Sequence, residues 1–440
     1  MDKYSFFYKI PDNWYWTKLG KITSIIGGGT PSSKINEYYD NGDIAWITPS
    51  DLSNYNNMYI SKGKKMITKL GLMKSSAKLL PKGTVCLSSR APIGYVVIAK
   101  NELSTNQGFK SFLPSKVFKS EYLYWYLKSI KHILEAKASG TTFLELSAKK
   151  AGEVEIPLPP ISEQQRIVNR IESLFVKLDR AKELIENTLA QFEQNKMAIL
   201  HKAFTGELTA KWRKENNIDL SSWEIVSIKD IGEVKGGKRL PKGEMLVNEN
   251  TGHPYIKAGN LKNGTVAFND LQYLKPQVYE KIKKYIVKEN DVYITIVGAC
   301  IGDVGIIPKE VNGANLTENA AKITNLKCNA KFLSIQLSIS SVQKQIKGKI
   351  ASATLGKLSL QNIKNIQIKM PTIEEQQEIV NILDKLLAKY NKIKNLEQQL
   401  EKIELLKKAI LAKAFRGELG TNNPDEESAE NLLKEILAEK

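Results

Sequence analysis

Arg90 stands in the run LSSRAPIGYV (87–96), just after Ser88 and Ser89 and at the end of a predicted strand. A guanidinium there could read guanine through two parallel hydrogen bonds, and a serine hydroxyl could meet a base edge or a phosphate. The glycine loop IIGGGTPSS (25–33) offers Gly28, Gly29, Thr30 and Ser33, with Lys34 beyond, as a place where backbone amides approach phosphate. It lacks the Gly-Lys-Ser/Thr ending of a P-loop, which disfavours nucleotide hydrolysis. Ser50 in AWITPSDL (45–52), with Asn106 and Gln107 in STNQGFKSF (104–112), adds hydroxyl and amide groups, and amides pair with adenine edges. Each run also has a plain reading: a surface arginine, a strand-to-strand turn, or amides that cap a turn.

The same chemistry recurs in altered form further along. VKGGKRLPK (234–242) places Lys238 and Arg239 where the earlier loop has Gly29 and Thr30, with Lys235 and Lys242 on either side. PYIKAGNL (254–261) supplies Lys257 and Asn260, and ITIVGACIGDV (294–304) carries Thr295 with Val297 near the place of Arg90. NLTENAAKI (315–323) brings Asn315 and Thr317, with Glu318 replacing Gln107. No nucleophile has a nearby base, and there is no dinucleotide fingerprint or methyltransferase Asn/Asp-Pro-Pro-aromatic motif. Cys86, Cys300, Cys328, His132, His201 and His253 are scattered, so no metal site is predicted and a reducing cytosol suits the thiols. These residues suit a reader of nucleic acid rather than an enzyme.

What must position them is a duplicated frame. The stretch 161–208 opens ISEQQRIV and closes AILHKAFTGEL, and 373–419 opens IEEQQEIV and closes AILAKAFRGEL. Gln165 and Gln377 are 212 positions apart whereas Leu208 and Leu419 are 211 apart, so one residue is missing within the second stretch. Ile167, Ile171, Leu174, Leu178, Ala181, Ile185, Thr188, Phe192, Asn195 and Ile199 alternate steps of four and three, the period of a coiled-coil seam. The second copy runs Ile379, Leu383, Leu386, Tyr390, Ile393, Leu396, Leu400 and Ile403, with consecutive steps of three near the missing residue. Each helix has one seam, so an antiparallel pairing of the two is expected. Ser162 with Gln165 and Thr372 with Glu375 have capping-box spacing.

Before each stretch lies a half of mixed character whose opening still registers, Trp14, Leu19 and Ile22 with Trp223, Ile228 and Ile231. GTVCLSS (83–89) and NDVYITIVG (290–298) read as strands, 120–134 and 330–346 as helices closing each half. The expected fold is α+β: two pseudo-symmetric α+β domains separated by two long antiparallel coiled-coil helices. The predicted division is 1–157, helix region 158–210, linker 211–222, 223–369, helix region 370–420, and an acidic tail with a short helix over 421–440.

Charge points to the partner. The 440 residues carry a net +18, and lysine-for-arginine bias cannot produce an excess of positive over negative charge. Residues 229–288 hold twelve basic side chains against six acidic ones. No apolar run is long enough for a membrane span and no basic amphipathic anchor is evident, which leaves nucleic acid favoured over a membrane surface.

The doubled Glu-Gln-Gln and Ala-Phe-x-Gly-Glu-Leu frame, together with GGGTPSS, SSRAPIGYV and LTAKWR (208–213), resembles the specificity (S) subunit of type I restriction-modification systems over nearly the whole chain. The resemblance implies two target recognition domains, one per half of an asymmetric double-stranded DNA site. It implies two methyltransferase (M) and two restriction (R) subunits as partners. It implies no cofactor on this chain, with S-adenosylmethionine, ATP and Mg on the partners, and a cytoplasmic location. The duplicated frame is the expected docking surface: Glu163, Gln164, Gln165, Phe204 and Glu207 in one copy, Glu375, Gln376, Gln377, Phe415 and Glu418 in the other. The competing reading is a stand-alone coiled-coil nucleic-acid scaffold. On either, lysine–phosphate contacts should make DNA binding fall by roughly a thousandfold or more between about 50 and 200 mM salt in a filter-binding titration. Binding that ignores salt over that range contradicts a basic DNA-facing surface.

Overall fold

Apolar and β-branched runs bounded by Gly, Asn and Pro become short strands, as their patterning requires. The computed structural model describes residues 8–90, 92–140, 144–350, 356–391 and 394–438 and falls into two units, 1–186 with 396–440, and 187–395. The first unit carries β1 (Tyr15–Lys18), β2 (Ile25–Gly27), β3 (Ile44–Ile47), β4 (Tyr59–Ile60), β5 (Lys65–Ile67), β6 (Val85–Ser88), β7 (Val96–Ala99), β8 (Ser104–Thr105), β9 (Phe109–Phe112) and β10 (Glu155–Leu158). They form a five-stranded sheet β2-β9-β6-β7-β4, a three-stranded sheet β5-β3-β8 and an antiparallel pair β1-β10.

The second unit carries β11 (Glu224–Ser227), β12 (Glu233–Gly236), β13 (Pro254–Ile256), β14 (Leu261–Lys262), β15 (Thr265–Val266), β16 (Gln272–Tyr273), β17 (Val292–Thr295), β18 (Val304–Ile306), β19 (Asn315–Leu316), β20 (Ala320–Thr324) and β21 (Gln367–Met370). Its sheet β12-β20-β17-β18 matches β2-β9-β6-β7, and β16-β13-β19 matches β5-β3-β8 down to the parallel pairing of β13 with β19 and of β3 with β8. The fold class is α+β, built twice.

Period-two packing explains why the central strands are apolar throughout. Val85 and Leu87 of β6 face one core cluster while Cys86 between them faces another, and Val292, Ile294 and Tyr293 of β17 divide in the same way. The closing helices are shorter than expected. One breaks into Ser120–Ser129 and Lys131–Lys137, the other into Ala330–Ser338 and Ser340–Gly348. In both, an isoleucine at the break (Ile130, Ile339) packs against the core, so apolar burial outweighs helix continuity.

The first long helix is Ile161–Thr205; the second is described as Ile373–Asn391 and Lys394–Ala414. In the first unit, Asp179 pairs with Lys407 and Lys182 with Glu404: three positions forward on one helix is three back on the other, the signature of antiparallel neighbours. In the second unit Phe204 and Ala203 pack with Ile379, Val380 and Leu383. The seam is deepest at Ile167, Ile171, Ile379, Leu383 and Ile403, and half-buried from Leu174 to Phe192; Asn195 is exposed. The Tyr390 side chain and Ile393 lie outside the described residues.

The helix caps differ from the predicted pair. Thr372 does cap, its hydroxyl accepting from the Glu375 amide at 3.4 Å. Ser162 does not, because the first helix already begins at Ile161 and Gln165 bonds to Asn169 instead. Nor does the Glu375 carboxylate turn back to complete a capping box. It is buried and accepts from Trp223 Nε1 (2.9 Å), the Thr209 hydroxyl (2.6 Å) and Arg213. Glu163, at the equivalent place, accepts from Trp14 Nε1 (2.8 Å), Asn422 (2.9 Å) and Thr421 (3.4 Å). Burial pushes the Glu163 carboxyl up against those stabilising donors. The neighbouring glutamines repeat each other: Gln164 accepts from the Lys119 amide and donates to Pro159 O, Gln376 accepts from the Asn329 amide and donates to Pro371 O.

These twin clamps differ in charge, with a measurable consequence. Glu375→Ala strands the buried Arg213 guanidinium and should destabilise the second unit by about 3–5 kcal/mol. Glu163→Ala leaves only neutral donors unpaired and should cost about 1–3 kcal/mol in the first. Amide hydrogen exchange, read unit by unit, separates the two; equal losses would contradict the charge argument.

Candidate nucleic-acid interface

Each unit builds a double turn from two distant runs. In the first unit the Gly28 and Gly29 amides donate to Phe109 O (3.4 Å) and Thr105 O (2.9 Å), and the Asn106 amide donates to Ile47 O (2.9 Å). In the second, the Gly237 and Lys238 amides donate to Ala320 O (3.0 Å) and Leu316 O (2.8 Å), and the Thr317 amide to Ile256 O (3.0 Å). The glycines are required by close approach: a Cβ on Gly28 would meet Asn106 O at 1.9 Å, and one on Gly237 would meet Thr317 O at 2.0 Å. An aromatic donor pins the next carbonyl in both, Trp46 Nε1 on Gly29 O (3.0 Å) and the Tyr255 hydroxyl on Lys238 O (2.9 Å).

The exposed tips of the double turns differ in chemistry. The Thr30 hydroxyl donates to Gln107 Oε1 in the first unit. At the same place in the second, Arg239 Nε donates to Glu318 Oε1 at 2.7 Å. Partial burial would raise the Glu318 carboxyl, but its bond from Arg239 holds it below the ordinary value. Lys238 stacks its ammonium over the Tyr285 ring at 5.5 Å.

Arg90 projects beside this turn with 46% of its side chain exposed and pairs through Nη2 with Glu145 at 2.8 Å. The nearly buried Lys110 reaches the other Glu145 oxygen at 3.3 Å. The Arg90 bond, joined by Lys110, holds the Glu145 carboxyl below its usual range despite partial burial. In the second unit Val297 forms a backbone bridge with Lys357 as Arg90 does with Glu145, so that unit presents an exposed lysine where the first has a carboxylate.

Several expected contacts face inward instead. Ser88, at the end of a β6 covered on both faces, and Ser89 just beyond it are fully buried, their hydroxyls donating to Pro92 O (2.7 Å) and Gly108 O (3.1 Å). Asn106 is half-buried and its Oδ1 accepts from the Gly108 amide, which makes it a turn former. Asn260 is buried and caps the Lys257 amide, Thr295 and Asn315 are buried strand residues, and Thr317 is buried with its hydroxyl on Glu318. Gly28, half-buried, and Gly29, buried, shape the turn with their backbone. Lys257 is half-buried on Gln272, and Lys235 is exposed but paired with Glu233. Thr30, Ser33, Lys34, Ser50, Gln107, Lys238, Arg239 and Lys242 remain exposed.

The expected docking set divides in the same way. Glu163, Gln164, Glu375 and Gln376 are buried in the clamps, and Phe204 and Phe415 in the cores, Phe415 edge-on to Tyr122 and Tyr126. Those six are buried and engaged within this chain. Gln165, Gln377, Glu207 and Glu418 stay exposed. Sequence reasoning missed Glu145, Lys110 and the paired Trp46 and Tyr255; only the last pair had a signal, its shared position in AWITPSDL and PYIKAGNL. Among the described residues no His/Cys/Asp/Glu cluster could hold a metal, and no helix is long and apolar enough to cross a membrane.

Arg90→Ala should relax sequence preference at one half of a DNA site and leave the other half unaltered, read by competition binding with single base-pair variants. Equal weakening across all sequences would make Arg90 a phosphate contact.

Comparison with known proteins adds the family. The profile described as "Type I restriction modification DNA specificity domain" matches twice, over residues 11–193 and 221–405. A similar relative is the Type I restriction enzyme MjaIX specificity subunit of Methanocaldococcus jannaschii, 32% identical over 93% of this chain and 94% of the relative. The EcoKI specificity subunit of Escherichia coli strain K12 is 25% identical over 98% of this chain and 96% of its own. Among solved structures, a chain from work on assembly and conformational transition of the type I R-M system aligns with a TM-score of 0.71 at 19% identity, covering 93% of this chain and 100% of that one. The HsdS subunit from Thermoanaerobacter tengcongensis aligns with a TM-score of 0.57 at 19% identity, covering 93% and 98%.

Proposed function

The chain belongs to the type I restriction-modification DNA specificity family, and from that premise we propose that it is a non-catalytic reader of an asymmetric, two-part DNA site. Each α+β unit reads one half-site through its double turn and the loops beside it. The observation that carries this reading is that the same hydrogen-bonded double turn is built twice while its exposed tips differ, Thr30 with Gln107 against Arg239 with Glu318. Identical scaffolds with unlike tips suit two unlike sequences on one duplex. A net charge of +18 supports the phosphate contacts that place the readers.

Two half-sites approached from one face of DNA have centres about one helical turn, roughly 10 bp, apart. Each helix carries a single copy of the tetrapeptide near TGEL (205–208) and RGEL (416–419), the pattern that the family resemblance associates with the shorter spacer. Two methyltransferase subunits would dock on the duplicated frame. Gln165 and Glu207, with their counterparts Gln377 and Glu418, are the exposed members of that frame and the first residues to test. Those subunits would bind S-adenosylmethionine and methylate one adenine per half-site after flipping it from the stack, and two ATP- and Mg-dependent restriction subunits would complete a cytoplasmic complex. Glu145, Lys110 and Arg90 then form one charged edge of the first reader.

Co-expression with its proposed methyltransferase partner, in a host without adenine methylation, should yield one genomic motif of two unlike blocks around an unread spacer. This chain alone should methylate nothing. A single uninterrupted palindrome, or methylation by the purified chain, contradicts the proposal.

A further inference from the structure

The tips of the two double turns are the place where matching backbone carries unmatched chemistry most cleanly. Thr30 and Arg239 follow the same pair of backbone bonds and the same pinned carbonyl, and Gln107 and Glu318 sit two residues after the strand-end carbonyl those bonds reach. In both units the two side chains are bonded to each other across the turn. A neutral hydroxyl–amide pair in one unit has become a guanidinium–carboxylate pair in the other, both members changing together.

We propose that this pair is a two-residue reading head: Arg239, aimed by Glu318, reads a guanine in the half-site of the second unit, and Gln107, aimed by Thr30, reads an adenine in that of the first. The inference rests on the proposed function and assigns a base type to each turn. The side-chain bond to Glu318 uses Nε of Arg239, and among the described residues its two terminal nitrogens carry no hydrogen bond. With 79% of the side chain exposed, that edge is presented outward, and it is the edge that meets guanine O6 and N7. The carboxylate also argues against a phosphate role. A guanidinium already neutralised by Glu318 gains little from a phosphate, whose charge the carboxylate repels, whereas the neutral acceptors of a guanine lose nothing. In the first unit the Thr30 hydroxyl donates to Gln107 Oε1. The oxygen keeps a second lone pair and the nitrogen both hydrogens, the set that meets adenine N6 and N7. Glycine contacts and the Trp46 and Tyr255 bonds hold both turns rigid, so the tips need little ordering on binding.

Two variants test the assignment in the full chain. Thr30→Arg with Gln107→Glu installs the second unit's pair in the first. Mapped genomically with the methyltransferase partner, it should change one position of one block from adenine to guanine and leave the other block intact. Arg239→Lys keeps the charge and the fold but removes the planar fork. In competition with duplexes varied one base pair at a time, discrimination at a single guanine should fall about tenfold or more. If the swap does not fold, Arg239→Lys decides the guanine and Gln107→Leu, read in the same competition for lost discrimination at a single adenine of the other half-site, decides the first unit. Unchanged discrimination, or uniform weakening with a salt slope lower by about one, overturns the reading head. In those cases an intact two-block motif from the unaltered chain leaves the proposed function standing, whereas absence of any such motif removes both.

Discussion

A carboxylate buried at the first turn of each long helix is the constraint on which the rest depends. Glu163 and Glu375 lie out of solvent, and a buried charge without partners would cost several kcal/mol. The partners come from far along the chain. Glu163 takes its donors from the first tryptophan of its unit and from residues after the second long helix; Glu375 takes its donors from Trp223 and from residues after the first. Satisfying one carboxylate therefore ties together a β-pair, a helix start and the end of the other helix within each unit. The adjacent glutamine adds the closing helix, through the amides of Lys119 and Asn329. Such buried polar networks do not by themselves make a protein more stable than apolar packing would; they make one arrangement of elements far better than its neighbours.

That fixed base explains where change was permitted. The place of each clamp, the order of the shared strands and the double turns match between units, while the outward tips do not. A turn pressed backbone to backbone tolerates only glycine at its contact, but the side chain two positions on is exposed and can become threonine or arginine without disturbing a bond beneath it. Coupled change of the facing residue follows from charge. An arginine opposite glutamine would lack a counterion, and a glutamate opposite threonine would lack a strong donor. The clamps show milder drift of the same kind, with Arg213 and Thr209 in one unit doing the work of Asn422 and Thr421 in the other.

Much of this was legible in the residues. Periodicity marked both long helices, strand runs at 83–89 and 290–298 became β6 and β17, and Gly28–Thr30 and Gly237–Arg239 were recognised as equivalent turns. Misreadings fell where polar residues alternate within covered strands. Ser88, Thr295 and Asn315 look available in sequence, yet each is a buried strand residue, and Ser89, just past β6, is buried against Gly108. Ser162 looks like a cap but follows two prolines that start the helix one residue sooner. The docking set divided for a related reason: residues repeated in both copies serve internal clamping as well as any partner, and identity of type does not reveal which face a side chain takes.

The amino-acid order by itself determined the duplication, the helical seam, the glycine turns and the excess of positive charge, since each is a matter of local spacing or composition. Only the tertiary structure decided which polar groups are spent inside and which remain outside. Burial and hydrogen bonding are settled between residues far apart in the chain: Trp14 and Glu163 are 149 positions apart, Thr30 and Gln107 77, Arg239 and Glu318 79. No local pattern encodes those distances, because each bond exists only once the distant strands or helix that carry its two partners have packed together.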